Sequence, residues 1–339
     1  MLRLHGQQLP VQTLERSLAE DRIHHAYLFT GPAHLGKATL AVQFAQALNC
    51  DAGTPPCGAC PSCTRIADGN HADVRLIDLD ENAASIGIDA VRDIINSAHL
   101  RPYEGRTRVF IITEADSLTR DAANALLKVL EEPPDDVVLI LVGTSADNQL
   151  PTVRSRCQTL YFRPLPVDEV AHVLQNEHGV SADQAQVLAR LSRGCIGWAI
   201  AATGDDTLYA SVHQRMEQIV DAIDGGLEER FTYAGELARR IDRDRGAGRE
   251  ELFLWLRWLR DIMLIQQGHG ASITNLSWRE VLERHAGALE PADVVRWAQN
   301  VTRTIEALER NANVRLALDV FMLEAPLLKA RATKVESGA

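Results

Sequence analysis

Residues 25–39 constrain the fold more strongly than any other stretch of this chain. They read HAYLFTGPAHLGKAT, in which a short apolar run leads into a loop bounded by Gly31 and Gly36, with Lys37 directly behind. The G-x-x-x-x-G-K spacing is typical of a phosphate-binding loop, where backbone N–H groups and the start of a helix face an anion. Because such a loop connects a buried strand to a helix, the stretch predicts a strand at 26–30 and a helix at 37–49.

The residues behind the lysine depart from this pattern. The hydroxyl group that normally helps to hold a magnesium ion follows the lysine directly. Here Ala38 has that position, and Thr39 comes one place later. We therefore expect Gly31, Gly36, Lys37 and Thr39 to form a degenerate phosphate loop that binds ATP or ADP weakly or not at all.

Short apolar runs alternate with helical patterns through the first half of the chain. Further strands are predicted at 75–79, 108–113, 137–142 and 159–162. Further helices are predicted at 8–24, 88–100 and 120–132, with a short helical turn around 150–154. The helix at 120–132 must stop at the double proline of residues 133 and 134, since proline cannot continue the hydrogen-bond ladder. This alternation indicates a parallel sheet with helices on both faces, the doubly wound α/β class.

From Arg163 onward the sequence predicts amphipathic helices and no strand. The helices are expected at 168–179, 181–191, 197–202, 207–223, 228–241, 249–267, 291–309 and 314–330. The proline-rich turn at 163–166 and the polar turn at 203–206 divide the chain into an α/β domain at 1–163, a small helical domain at 164–204 and a larger helical domain at 205–332. Residues 333–339 are expected to form a disordered tail.

Four of the six cysteines lie in an insertion that follows the helix predicted at 37–49. Cys50, Cys57, Cys60 and Cys63 have the spacing C-x6-C-x2-C-x2-C. Four soft thiolates within one loop at 50–63 favour a closed tetrahedral zinc site with a structural role, because no coordination position is left for a substrate. A redox or disulfide cluster is the alternative. It is disfavoured if the protein lies in the reducing cytoplasm, as the lack of an export signal leads us to expect.

The composition limits the classes of function. The formal net charge of −11 argues against a protein that wraps nucleic acid through its overall electrostatic field. The longest apolar runs, such as residues 137–142, are too short to cross a bilayer, and the amino terminus lacks the apolar core of a signal peptide. We expect a cytoplasmic protein that does not contact the membrane.

Two further motifs complete a distinctive set. Residues 124–134 read NALLKVLEEPP, and the tripeptide Ser155-Arg156-Cys157 follows the fourth predicted strand. Together with HAYLFTGP at 25–32 and the four cysteines, in this order, they resemble the AAA+ subunits of the bacterial DNA polymerase III clamp loader. The resemblance implies an AAA+ fold in which 164–204 form a lid and 205–332 a helical collar domain.

A motor subunit of this family needs residues that this chain lacks. The aspartate that should orient magnesium at the end of the third strand is replaced by Thr113, followed by Glu114, and the arginine that senses the γ-phosphate aligns with Gly197. With Ala38, these departures predict a chain that has no ATPase activity of its own. The resemblance implies that it is a non-motor subunit of a DNA-directed DNA polymerase (nucleotidyltransferase) holoenzyme. An active gamma- or tau-like ATPase is the alternative, and a zinc-dependent nucleic-acid binder is a further one. Thr144 is equally compatible with nucleotide sensing and with plain β-propensity.

Arg156 is the residue to which the resemblance assigns chemistry. In this family the arginine of the serine-arginine-cysteine motif reaches the γ-phosphate bound to a neighbouring motor subunit, as an arginine finger supplied in trans. An ordinary surface arginine is the alternative. The implied partners are the gamma or tau motor subunits and the delta subunit in a hetero-oligomeric ring. The implied function is support of ATP-dependent loading of the sliding clamp onto primed DNA during replication.

Overall fold

The computed structural model describes residues 2–79, 83, 85–243 and 245–328. Within the first half of these residues the strands are β1 (Ala26–Thr30), β2 (Val74–Ile77), β3 (Arg108–Ile112), β4 (Val137–Gly143) and β5 (Gln158–Tyr161). The helices that accompany them are α1 (Gln8–Ala19), α2 (Lys37–Asn49), α3 (Pro61–Ala67), α4 (Ile88–Ala98), α5 (Arg120–Glu131) and α6 (Pro151–Arg154). Short 3-10 turns at Ala115–Ser117 and Ala146–Asn148 follow the ends of β3 and β4.

The described strands form one parallel sheet in the order β2-β3-β4-β1-β5. β1 lies between β4 and β5, with Ala26 opposite Leu139 and Tyr27 opposite Gln158. Every residue of β1, β3 and β4 is buried, as expected for strands that are covered on both faces. The predicted α/β fold with a parallel sheet is therefore confirmed.

The two faces of the sheet carry separate apolar clusters. Because side chains alternate along a strand, Tyr27 and Phe29 of β1 belong to one cluster, whereas Ala26 and Leu28 belong to the other. The first cluster is covered by α1 and α2, and the second by α4 and α5, through the residues Leu14, Leu40, Phe44, Val91, Ile94 and Leu126. Full burial of each large apolar side chain stabilises the domain by roughly 1.5–3 kcal/mol.

The second half of the chain is helical throughout its described residues. Its helices are α7 (Val167–His178), α8 (Ala182–Ser192), α9 (Ile196–Gly204), α10 (Asp206–Asp224), α11 (Leu227–Arg243), α12 (Arg245–Gln266), α13 (Arg279–Ala288), α14 (Pro291–Glu309) and α15 (Val314–Leu323). The predicted all-α character of this region is confirmed. Two helices, α3 and α13, were not predicted. α3 has only seven residues, and α13 has few large apolar residues, with Leu282 and His285 as its buried positions.

The chain divides into two compact units. One contains Met1–Val173 and Ser192–Ala199, and the other contains Leu174–Leu191 and Ile200–Ala339. The segment Ser192–Ala199 joins the first unit through main-chain bonds, among them that from the Leu165 N–H to the Gly194 carbonyl at 3.0 Å. The finer division into 1–163, 164–204 and 205–332 stays a prediction, and the predicted tail at 333–339 lies outside the described residues.

The core of the second unit is built around tryptophan. Trp255 and Trp258 of α12 and Trp297 of α14 are almost completely buried. The Trp255 ring lies 5.2 Å from the Trp297 ring and 5.2 Å from the Phe321 ring, distances at which aromatic pairs attract. These tryptophans are therefore core residues and not exposed side chains on which nucleobases could stack. Among the described helices, none is at once long and apolar enough to cross a bilayer.

Candidate functional site

The phosphate loop has the predicted strand–loop–helix context, between β1 and α2. Gly31 and Gly36 have φ angles of 147° and 82°, which L side chains rarely adopt. Both are also packed closely, since a Cβ on Gly31 would lie 2.3 Å from the Phe162 carbonyl oxygen and one on Gly36 would lie 2.4 Å from a Leu4 methyl carbon. The glycines are thus required by the backbone and by its neighbours, whether or not a nucleotide binds.

Lys37 is directed into its own loop. Its side chain is buried, and its Nζ donates hydrogen bonds to the carbonyl oxygens of Gly31, at 2.6 Å, and Pro32, at 2.5 Å. Burial lowers the pKa of Lys37 to about 8, against the opposing attraction of Asp116 and Cys195. A phosphate would have to compete with two loop carbonyls for this ammonium group.

Gly197 lies against the phosphate loop through its main chain. Its N–H donates to the carbonyl oxygen of His34 at 2.8 Å, and a Cβ at position 197 would lie 2.8 Å from that oxygen. His34 itself has a φ angle of 60°, an uncommon conformation for a residue with a side chain. The position aligned with the family's sensing arginine therefore has no room for a side chain unless the loop moves.

The carboxyl ends of β3 and β4 carry a network of hydrogen bonds. Thr113, at the position of the missing aspartate, donates its hydroxyl to the Asp78 carboxylate at 2.5 Å, and Glu114 is exposed. Asp116 accepts bonds of 2.6 Å from both the N–H and the hydroxyl of Thr144 and one of 3.0 Å from Gln149. The Thr144 hydroxyl is therefore already bonded to a carboxylate, a partner that the sequence did not reveal.

Thr39 occupies an exposed position in the first turn of α2. Ala38, which directly follows the buried lysine, is half-buried. The structure thus brings Gly31, Gly36 and Lys37 together in one loop. Among the described residues, the Thr39 hydroxyl forms no hydrogen bond to the loop, so Thr39 does not replace the hydroxyl that is missing at position 38.

The four predicted metal ligands converge. One sulfur atom from each of Cys50, Cys57, Cys60 and Cys63 lies within 4.8 Å of all the others. The Sγ atoms of Cys50 and Cys60 are 3.9 Å apart, and those of Cys57 and Cys63 are 4.0 Å apart. A tetrahedral ion with metal–sulfur bonds of about 2.3 Å requires sulfur separations of about 3.8 Å, so the cluster could hold a metal ion.

Backbone N–H groups donate hydrogen bonds to two of the four sulfur atoms, those of Cys57 and Cys60. The N–H groups of Ala59 and Cys60 donate to Cys57 Sγ at 3.5 and 3.2 Å and lower the pKa of the Cys57 thiol to about 6. The Cys63 N–H donates in turn to Cys60 Sγ at 3.4 Å. Cys60 is the N-cap of α3, with Pro61 at its first position, so the ligand spacing and the helix start are parts of one turn.

Side chains outside the cluster fasten it to the sheet domain. Gln46 of α2 donates to the Cys63 carbonyl at 2.8 Å, and the Ser62 hydroxyl lies 3.2 Å from Nε2 of the buried His71. Nδ1 of His71 accepts the Asp73 N–H at 3.1 Å, which assigns the ring proton to Nε2. His71 is thus a structural residue rather than a general base for Ser62.

Asp73 anchors the loop in front of β3. Its carboxylate, which is fully buried, accepts the N–H groups of Tyr103, Glu104 and Gly105 at 2.8–3.0 Å and the Arg108 guanidinium at 2.8 Å. These bonds outweigh the effect of burial and hold the pKa of Asp73 well below its usual range. The anchor stabilises the scaffold and was not found by sequence reasoning, because its partners lie far apart along the chain.

Arg156 lies in the turn between α6 and β5. Its guanidinium donates to the Thr152 carbonyl at 3.0 Å and forms an ion pair with Glu131 at 2.8 Å. The Arg156 side chain is 36% exposed, so it is neither buried nor free. The nearby Arg154 pairs with Asp147 at 2.6 Å, as expected of surface charge.

Comparisons with known proteins point to one family. Residues 6–166 match the sequence profile of the family described as "DNA polymerase III, delta subunit". The chain is 35% identical to DNA polymerase III subunit tau of Escherichia coli over 231 residues, which are 66% of this chain and 35% of that protein. It is 28% identical to DNA polymerase III subunit delta' of Bacillus subtilis over 315 residues, which are 92% of this chain and 94% of that protein.

A third relative extends the match along the chain. DNA polymerase III subunit tau/gamma of Haemophilus influenzae is 33% identical over 340 residues, covering 94% of this chain and 48% of that protein. The chain spans about a third to a half of the length of the tau relatives that it matches. Among solved structures, a gamma-subunit-related protein of Thermotoga maritima has a TM-score of 0.41 at 18% identity, covering 92% of this chain and 97% of that one.

Proposed function

We propose that this chain, which belongs to the clamp-loader family of DNA polymerase III subunits, acts as a delta-prime subunit that hydrolyses no ATP itself. The contact between Gly197 and the phosphate loop carries this proposal. A motor subunit needs a cationic side chain at that position, whereas here the main-chain N–H of Gly197 bonds directly to the His34 carbonyl. The active gamma- or tau-like ATPase remains the competing function.

The neighbouring groups support the same conclusion. Phosphoryl transfer depends on groups that are positioned to stabilise the developing charge. In this chain the lysine of the loop donates to two loop carbonyls, and Thr113 donates to Asp78 in place of a magnesium-orienting aspartate. We infer that nucleotide binds the loop weakly or not at all.

The contribution of this chain to ATP hydrolysis would be Arg156. We infer that it acts as an arginine finger toward ATP held by a neighbouring tau or gamma subunit, within a hetero-oligomeric ring that includes the delta subunit and loads the sliding clamp onto primed DNA. Its partial exposure at the surface of the α/β domain supports this role. The chain itself would provide a rigid wall of the ring, with the helical region as a collar. A cytoplasmic location stays a prediction.

We also propose that the cysteine cluster binds zinc. Four thiolates in a tetrahedral arrangement are the ligands typical of structural zinc, and a closed site of this kind stabilises the fold rather than catalysing a reaction. Wild-type protein should contain one equivalent of zinc by elemental analysis, Cys60→Ser should lose it, and Cys157→Ala, outside the cluster, should keep it. Equal zinc content in Cys60→Ser and wild type would contradict the assignment.

Reconstitution tests the proposed function as a whole. The chain is mixed with tau or gamma and with delta, and the mixture is analysed by size-exclusion chromatography and by ATP hydrolysis. We expect one complex, hydrolysis that falls when this chain is left out, and no hydrolysis by the isolated chain. Hydrolysis by the isolated chain at the rate of the complex would instead establish the gamma- or tau-like function.

A further inference from the structure

The ion pair between Glu131 and Arg156 joins two of the motifs that the sequence shows separately. Glu131 is the last residue of α5, inside NALLKVLEEPP, and Arg156 is the centre of the serine-arginine-cysteine motif. Glu131 Oε1 lies 2.8 Å from one terminal nitrogen of the guanidinium, while the other terminal nitrogen donates to the Thr152 carbonyl of α6 at 3.0 Å. The arginine is thus held from two sides by two different helices.

The position of Glu131 is unfavourable for its own helix. The carboxyl end of a helix carries a partial negative charge, so an acidic side chain in the last turn is repelled. Glu131 nevertheless ends α5, immediately before Glu132 and the double proline that stops the helix. A carboxylate placed against the local electrostatics indicates a role outside the helix, and the cation that it contacts is Arg156.

We propose that Glu131 is a positioning residue for Arg156. It would hold the half-exposed guanidinium in place and leave, among the residues that the structure describes, part of its hydrogen-bonding capacity unused. A guanidinium has five N–H donors, and the bonds to Glu131 and Thr152 engage two of them. The remaining donors suit an anion with several oxygens, such as a γ-phosphate. This inference rests on the proposed function of Arg156.

The strength of the pair fits this role. The Glu131 side chain is 50% exposed, and exposed ion pairs are weak because water and salt screen them. Glu131 can therefore restrict the rotamers of Arg156 before assembly without withholding it from a phosphate. A buried pair in the same place would have trapped the arginine.

The test uses ATP hydrolysis by the assembled loader, made with wild-type chain or with Glu131→Ala, Arg156→Ala or both. Glu132→Ala is the matched control, because Glu132 is also exposed and the substitution removes the same charge one residue further along the chain. We expect Glu131→Ala to lower kcat by up to about fivefold, the largest factor that a weak exposed pair can supply by positioning the arginine, with KM for ATP within about twofold of wild type. Glu132→Ala should retain the wild-type kcat.

The double variant distinguishes positioning from a separate structural effect. If Glu131 acts only through Arg156, Glu131→Ala/Arg156→Ala should have the same kcat as Arg156→Ala alone. Glu131→Gln, which keeps a hydrogen-bond acceptor but loses the charge, should fall between Glu131→Ala and wild type. Size-exclusion chromatography of each mixture confirms that the complexes have assembled.

The outcomes separate this inference from the proposed function. If Arg156→Ala lowers kcat while Glu131→Ala and Glu131→Gln match wild type, the positioning role is wrong and the finger stands. Additive losses in the double variant, or an equal loss in Glu132→Ala, also overturn the positioning role. If Arg156→Ala leaves kcat unchanged, the proposed finger is wrong and the inference falls with it.

Discussion

The phosphate loop and the turn that contains Arg156 belong to the same α/β domain, but their charged groups are satisfied in opposite ways. Lys37 is buried and bonds to its own loop, and the loop is bonded in turn to Gly197. Arg156 lies at the surface, where a screened ion pair holds it. A group satisfied inside the domain is costly to redirect, whereas a guanidinium held by a surface pair can add a further partner at little cost. The comparison favours Arg156 as the group available to another subunit.

The largest effect is expected from Arg156→Ala in the assembled loader. Loss of an arginine finger lowers the rate at the site it serves by about 10³-fold or more, since its charge stabilises the transition state. The free energy of unfolding of the isolated chain should change by less than about 1 kcal/mol, because only a surface pair is lost. ATP hydrolysis and denaturant unfolding measure the two effects. Arg154→Ala, which removes the other arginine of the turn, should leave hydrolysis unchanged; an equal loss would show that the motif has no special role.

Lys37 should make stability depend on pH on the alkaline side. Its pKa in the folded chain, about 8, lies below its ordinary value of 10.5, so between these values the unfolded state binds more protons and stability rises with pH. Relative to Lys37→Met, which does not titrate, the wild type should gain up to about 3 kcal/mol across this window, since one pKa unit corresponds to about 1.4 kcal/mol. Unfolding by denaturant at several pH values measures it. A flat difference would mean that burial does not lower the pKa of Lys37.

Gly197 allows the closed state of the loop to be tested directly. A methyl group at this position would overlap the His34 carbonyl, so Gly197→Ala should lower the free energy of unfolding by about 1–3 kcal/mol. Gly204→Ala is the matched control, because a Cβ there would meet no atom within 4 Å. Gly197→Arg, which restores the missing cation, should not tighten ATP binding in a titration. Tighter binding would show that the loop lacks only its sensing charge.

The smallest effects are expected from Thr144→Val and Thr39→Val. Thr144→Val removes the hydroxyl that donates to Asp116 at 2.6 Å, and at an exposed site it should cost about 1 kcal/mol or less. Thr39→Val, on an exposed turn of α2, should change neither stability nor nucleotide binding. Denaturant unfolding and ATP titration measure both variants. A clear loss of ATP binding in either would show that the hydroxyl serves a nucleotide.

Much of the fold could be predicted from local patterns. Short segments were enough to predict the strands β1, β3 and β4 and the end of α5 at the double proline. Buried parallel strands and helix ends have strong local signatures. The strand order could not be predicted in this way, because it depends on which strands pair across the sheet. α3 was missed because it is short, and α13 because it has few large apolar residues.

The candidate site was predictable in its residue types and not in its contacts. The spacing of Gly31, Gly36 and Lys37 identifies a phosphate loop, but nothing local shows that the ammonium of Lys37 bonds to the loop carbonyls. The hydrogen bonds that Asp116 accepts from Thr144 likewise depend on the ends of β3 and β4 lying side by side. Such contacts arise only when distant segments pack.

The sequence by itself identified a strand–loop–helix unit, a four-cysteine cluster and a resemblance to a family whose phosphate-binding residues are incomplete in this chain. Each of these is carried by residues close together in the chain, so that local spacing is enough to recognise it. Only the tertiary structure decided that Gly197 bonds to the loop through its main chain and that Glu131 pairs with Arg156. Those pairs join elements far apart in sequence, and their geometry depends on the packing of helices against the sheet.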